Sequence, residues 1–196
     1  MGPVSWQSNY SNKLPSSMLG KLNFYITDPP PVVPTRRPIN PRGQTNAQGG
    51  PQTVIGLDLT VRKVEVHLAH LIPFPTGSQA GLDKWETLNI GGTQTVDLVA
   101  LAKNSNLSLL GVTSLAAGQY TEIRLYVSAG SATLPDGTKV TLTLLGKDNI
   151  VKIVEPFTIT AGKTNVLTVD FAAQRSVIKA GSRYLLRPVV AQLITQ

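Results

Sequence analysis

From Gly20 onward, apolar and polar residues alternate in short runs, and no stretch of similar length carries a helical period. Alternation puts every second side chain on one face of a strand, so a chain patterned this way must bury its apolar faces between sheets. In KLNFYITD, Leu22, Phe24 and Ile26 share a face, and Asp28-Pro29 ends the run because proline cannot donate to a ladder. VIGLDLTVRKVEVHLAHL reads as one long strand with Ile55, Leu57, Leu59 and Val61 inward, then Val64, Val66 and Leu68 after the parity changes. The change places a β-bulge, or a change of sheet, at Arg62-Lys63. TEIRLYV turns Ile123, Leu125 and Val127 inward, KVTLTLL does so with Val140, Leu142 and Leu144, and NVLTVDF with Leu167, Val169 and Phe171. Between these runs, Pro135-Asp136-Gly137, Gly146-Lys147-Asp148-Asn149 and Ala161-Gly162-Lys163 suit the turns of antiparallel hairpins. VDLVALA, residues 96–102, allows one or two helical turns. The pattern predicts an all-β fold, an antiparallel β-sandwich of immunoglobulin-like or jelly-roll-like type, with an N-terminal extension strand and a long proline-rich loop.

That loop is DPPPVVPTRRPINPRGQTNAQGGPQT, Asp28 to Thr53, rich in proline and without a pattern that folds alone. A linker would separate two domains, whereas a loop would project from one. The short strand ahead of it cannot form a domain by itself, so it must pair with strands beyond Thr53. The expected organisation is an N-terminal extension over residues 1–19 that is a candidate donor strand, and a single sandwich over 20–196 with an insertion loop at 29–53. Arg36, Arg37 and Arg42 are the candidate contacts of this loop with an acidic partner.

Composition narrows the function classes. Charged residues are only 15% of the chain, against about a quarter in an average domain, while Ser, Thr, Asn and Gln are abundant. Such an uncharged polar surface is met more often outside cells than in cytosol. The balance of 18 Lys+Arg against 11 Asp+Glu gives +7, but the basic residues are scattered, and aromatics at 6% do not interleave with them as a nucleic-acid reader requires. Cysteine is absent, which removes disulfides, thiolate catalysis and Cys-based zinc sites. No apolar run reaches the eighteen or so residues of a membrane span, and Met1 to Leu19 lack the apolar centre of a signal peptide. An exported protein with its signal left out of this sequence is the expectation.

No catalytic, metal or cofactor constellation emerges. His67 and His70 are the only histidines, and a regular strand sends positions three apart to opposite faces. Asp28, Asp58, Asp83, Asp97, Asp136, Asp148 and Asp170 are isolated in sequence. Ser114, Ser128 and Ser131 lack the strand-turn-helix setting of a hydrolase nucleophile, and Gly49-Gly50 and Gly91-Gly92 lack that of a phosphate loop. Trp85 and Tyr126 either line a sugar-binding face or sit in the core. Asn9-Tyr10-Ser11 and Asn106-Leu107-Ser108 fit the glycosylation acceptor pattern.

The succession GKLNFYITDPP, LTVRKVEVHL, KWETLN, VDLVAL, LLGVTSLAAGQYTEIRLYV, FTITAGKTNVLTVDFAAQRSV and YLLRPVV resembles the domain-of-unknown-function family 4382. Members open with a glycine and an alternating strand ending in Thr-Asp, and close on a strand with Leu-Arg-Pro or Leu-Lys-Pro. The similarity runs from about Gly20 to Val190. It implies a β-sandwich of secreted or surface-anchored prokaryotic proteins, with no catalytic residues to carry over. This chain departs from the pattern in its insertion at Val32 to Gln52 and in the residues ahead of Gly20.

Those leading residues carry their own signal. In GPVSWQSNYSNKL, Val4, Trp6, Tyr10 and Leu14 fall at even positions, the period of a strand with one apolar face. Such a strand inserts into a groove of its own subunit or of the next one. Two functions follow as expectations. The first is a structural subunit of an extracellular filament, pilus-like fibre or surface layer, a homopolymer built by donation of this strand to a neighbour. The second is a monomeric cell-surface domain that binds a polysaccharide or other ligand through the loops Val32–Gln52 and Ile72–Trp85. Neither requires an enzyme, a cofactor or a metal.

Overall fold

The computed structural model describes residues 14–28, 51–71, 84–145 and 147–196. The candidate donor-strand residues Val4, Trp6 and Tyr10, the candidate loop contacts Arg36, Arg37 and Arg42, and residues 72–83 lie outside them.

The elements follow in chain order: β1 (Leu19–Thr27), β2 (Gly56–Leu71), β3 (Lys84–Thr87), β4 (Gln94–Asp97), α1 (Leu98–Asn104), β5 (Ser108–Ala116), β6 (Gly118–Thr133) and β7 (Lys139–Leu144). They continue with β8 (Ile150–Ile153), β9 (Phe157–Ile159), β10 (Thr164–Phe171), α2 (Ala173–Ser176), β11 (Val177–Ala180), β12 (Arg183–Leu186) and β13 (Val190–Thr195). One sheet has the order β13-β10-β1-β5; the larger has β11-β12-β7-β6-β2-β3, with β4 on β2 and with β8 and β9 on β6. The inward residues of both sheets meet in one hydrophobic cluster, which includes Leu22, Phe24 and Ile26 of β1 and Leu57, Leu59 and Leu125 of the larger sheet. The fold is an all-β, sandwich-like arrangement.

β1 pairs with β10 along one edge and β5 along the other, so the residues before the proline-rich stretch belong to a sheet completed far beyond it. The long strand β2 carries the expected irregularity at Arg62-Lys63, and it resolves as a bulge within one sheet. The register with β6 shifts on both sides of Val61, so an extra residue on β6 is answered by one on β2. A second pair of shifts flanks Leu68, which is why Leu68 and Leu71, three positions apart, are both buried. Gly118 lies opposite this second irregularity, and a Cβ there would come within 2.2 Å of the His70 carbonyl oxygen. Only glycine permits that approach.

Several expectations change. Ile55 is 45% exposed and Val54 is buried instead, because the chain bends at Ile55 and β2 begins one residue later. Pro135-Gly137 does form the β6–β7 hairpin, with Gly137 at φ 85 and the Gly137 N–H donating to the Leu134 carbonyl at 2.9 Å. The expected turn Gly146–Asn149, of which Gly146 lies outside the described residues, does not join a hairpin: β7 and β8 both pair with β6, one after the other along it. Ala161-Gly162-Lys163 is also no hairpin turn, since β9 belongs to the larger sheet and β10 to the smaller. The crossing delivers β10 parallel to β1, and β12 likewise runs parallel to β7, so both sheets are mixed.

The segment 96–102 contributes the helix α1, begun by Asp97. Its Oδ1 accepts from the backbone N–H groups of Val99 at 3.0 Å and Ala100 at 3.2 Å, and from that of Leu57 on β2 at 3.2 Å. One carboxylate therefore caps the helix and ties it to the sheet. Asp97→Ala is expected to lower the unfolding free energy by about 1–2 kcal/mol, read by urea denaturation, with a change under about 0.3 kcal/mol contradicting the capping role.

Candidate functional site

The first candidate is a groove at one side of the sandwich, about 370 Å³ in volume, between β9 of the larger sheet and β10 and β13 of the smaller. Leu22, Phe157, Ile159 and Leu167 give it apolar lining, while Thr158, Asn165 and Thr195 add polar groups. Among the described residues β9 pairs only with β6, and β13 only with β10. Each bordering strand therefore keeps one edge of main-chain donors and acceptors unmatched by a described strand. Asn165 stiffens one end: its Oδ1 accepts from the Thr160 N–H at 2.9 Å, and its Nδ2 donates to the carbonyls of Lys21 and Lys163, each at 3.2 Å. Val154, two residues before Pro156 of the groove wall, is 77% exposed.

The root of the N-terminal extension lies beside this groove. The Gly162 N–H, in the connection leading from β9 to β10, donates to the Leu19 carbonyl at 2.8 Å. Just before it, a single 3-10 turn at Ser16–Met18 closes with the Met18 N–H on the Pro15 carbonyl. Leu14 is half-buried and packs against the core of its own subunit.

The second candidate is the outer face of the larger sheet. Trp85 and Tyr126, left open in the sequence between a binding face and the core, are half-buried and lie outside the core cluster. Cross-strand pairing places Trp85 opposite His67, and Glu65 opposite Arg124. The Arg124 guanidinium stands over the Trp85 ring at 3.7 Å, and the His67 ring lies 4.8 Å from it, tilted by 45°. His67 Nδ1 is hydrogen-bonded to Thr121 Oγ1 at 2.7 Å. Tyr126 donates to Glu65 at 2.5 Å, the Lys63 ammonium pairs with the same carboxylate, and Lys63 also stands 4.9 Å from the Tyr126 ring. Burial alone would push Glu65 up, but hydrogen bonds from Lys63 and Tyr126, with the nearby cationic charges, hold its carboxyl below the ordinary range. The cations over these rings hold them in place on the outer face.

Asp28 and Asp170, isolated in sequence, are brought together by the parallel β1–β10 pair, in which Thr27 is the partner of Asp170. Both residues are only 6% exposed. Burial pushes the Asp28 carboxyl up to about 6, opposed by the Ala173 N–H that donates to it at 3.3 Å and reinforced by the charge of Asp170. Burial raises Asp170 as well. Ser131 donates to Asp58, which also pairs with Lys139, and Ser128 donates to the Thr60 carbonyl. Both serine contacts are structural. Among the described residues no group of three or more His, Asp or Glu side chains is placed to hold a metal ion, and no helix is long and apolar enough to cross a membrane.

Comparison with known proteins adds one result: the family model described as Domain of unknown function (DUF4382) matches residues 19–188, from the first residue of β1 to just before β13. No curated protein and no solved structure matches the chain. A match over most of the chain makes the protein a member of the DUF4382 family.

Proposed function

We propose that this protein is a structural subunit of an extracellular filament, pilus-like fibre or surface layer, in which the N-terminal segment of one copy is added as a strand to the next. The observation that supports this reading is the groove with apolar lining between β9 and β13, bordered by two strand edges that no described strand completes. An extended segment entering it gains main-chain hydrogen bonds along an edge and buries alternate side chains, the two components of recognition by strand addition. Val4, Trp6 and Tyr10 supply those side chains, and Leu14 anchors the root of the arm on its own subunit. Because donor and acceptor are different surfaces, the contact is head-to-tail and propagates into a fibre instead of closing as a dimer. Its role is mechanical, not enzymatic.

The proposal predicts that a chain lacking Met1–Lys13, which retains Leu14, is a folded monomer by light scattering. It should bind a synthetic peptide of residues 2–13, detected by the blue shift of Trp6 as it enters the groove. A truncated chain that still assembles, or one that ignores the peptide, contradicts strand donation.

A second reading is favoured by the outward Trp85 and Tyr126 with their neighbouring cations: a cell-surface domain that binds polysaccharide on this face. It predicts that Trp85→Ala weakens binding to a surface polysaccharide, read by isothermal titration calorimetry. Unchanged affinity in that variant counts against it.

A further inference from the structure

The acceptor tripeptide Asn106-Leu107-Ser108 occupies a distinctive place in the fold. Helix α1 is ended by Ser105 in the left-handed conformation, φ 50, so the chain turns out of the helix at the following residue. The backbone of Asn106 is held on both sides: its N–H donates to the Leu101 carbonyl at 3.1 Å, and its carbonyl accepts from Thr27 Oγ1 at 2.9 Å. The residue itself remains exposed. Ser108 then opens β5, opposite Ile26. Two large apolar residues flank this serine, Leu107 at 54% and Leu109 at 46% exposure.

β5 is an edge strand of the smaller sheet. Its middle is covered by the segment around Asn89, whose N–H donates to Thr113 Oγ1 at 2.7 Å, and by Gln94, which donates to the Leu110 carbonyl at 2.7 Å. Among the described residues those contacts begin beyond Leu109, and the end of β5 nearest Asn106 presents apolar side chains beside a sheet edge. Such ends pair with other chains unless something blocks them.

We propose that Asn106 carries an N-linked glycan. The inference rests on the extracellular reading above, because the modification requires export. The donor is a lipid-phosphate-linked oligosaccharide. Asn106 Nδ2 forms a bond to C1 of the first sugar, the C1–O bond to the lipid phosphate breaks, one proton leaves Nδ2, and the lipid phosphate departs with the bonding electrons. No oxidant or reductant takes part, and Ser108 supplies the hydroxyl that the acceptor pattern demands. A bulky polar group at this position shields Leu107 and Leu109 and obstructs strand addition at this end of β5. Of the two edges of the smaller sheet, the β13 edge is then the one left for assembly.

The test uses the protein isolated from the surface fraction of its own cells. Trypsin releases the peptide Asn104–Arg124, which contains Asn106 and no internal lysine or arginine. The expected result is a peptide mass raised by an oligosaccharide located on Asn106, lost entirely in Ser108→Ala and kept in Ser108→Thr. Surface protein yielding only the unmodified peptide overturns the glycan while leaving the surface reading intact. Protein recovered only from inside the cells overturns both.

Discussion

Phe24→Ala is expected to lower the unfolding free energy by about 3–5 kcal/mol, the range for deleting a buried aromatic side chain. Phe24 is fully buried at the centre of β1, with β10 on one side and β5 on the other, and its ring belongs to the cluster shared with the larger sheet. The chain has no cysteine, so no disulfide offsets the cavity. Urea denaturation of the variant measures the loss, and Leu109→Ala on the neighbouring strand serves as control, expected to change stability by less than about 1 kcal/mol because its side chain is exposed. A Phe24→Ala loss as small as the control's would mean that β1 is not part of the core. The proline-rich stretch would then have to be reread as a linker.

Asp28→Asn is expected to stabilise the protein at neutral pH, an unusual direction for a substitution at a buried position. The Asp28 carboxyl is raised from its ordinary value to about 6, first by burial, then against the opposing Ala173 N–H, and further by the charge of Asp170. A carboxyl that holds its proton more tightly when folded contributes stability that is fully present below about pH 4, and that contribution is lost as pH rises through about 6. A shift of about two units corresponds to about 3 kcal/mol. Asparagine carries no charge and still offers an oxygen to the Ala173 N–H. The variant should therefore gain up to about 3 kcal/mol at pH 7 and lose most of the slope between pH 4 and 6, with Asp170 supplying what remains. Urea midpoints at pH 4, 5, 6 and 7 decide it. A variant less stable than the wild type at pH 7 would show that the folded protein compensates the Asp28 carboxylate and does not raise its pKa.

The faces of the strands were legible because alternation is a local property: Leu22, Phe24 and Ile26, or Ile123, Leu125 and Val127, announce a buried side wherever the strand lies. Even the bulge at Arg62-Lys63 shows in the sequence, since a parity change within an apolar run has few other causes. Partners were not legible. Gly146–Asn149 and Ala161–Lys163 have the residues of hairpin turns, yet one joins two strands that both pair with β6 and the other crosses between sheets. Turn chemistry reports that the chain bends, not which sheet receives it. The same limit hid the Asp28–Asp170 pair, which exists only because β10 arrives parallel to β1. Trp85 was ambiguous because a slip of one residue exchanges the two faces of a strand and short β3 offers little pattern to fix its register, whereas the inward Leu125 and Val127 on either side of Tyr126 already turn it outward. His67 and His70 illustrate the converse, for the register shift beside Leu68 breaks the simple alternation that would send them to opposite faces.

The proposed strand donation would make the N-terminal segment the determinant of assembly and the sandwich its receptor. It predicts that stability depends on assembly, because a neighbour that binds the folded groove shifts the unfolding equilibrium by mass action. The most direct measurement is negative-stain electron microscopy of the concentrated full-length protein beside the variant lacking Met1–Lys13. Regular fibres in the first and dispersed particles in the second are the predicted result. Fibres in both preparations, or dispersed particles in both, would contradict polymerisation through the N-terminal strand.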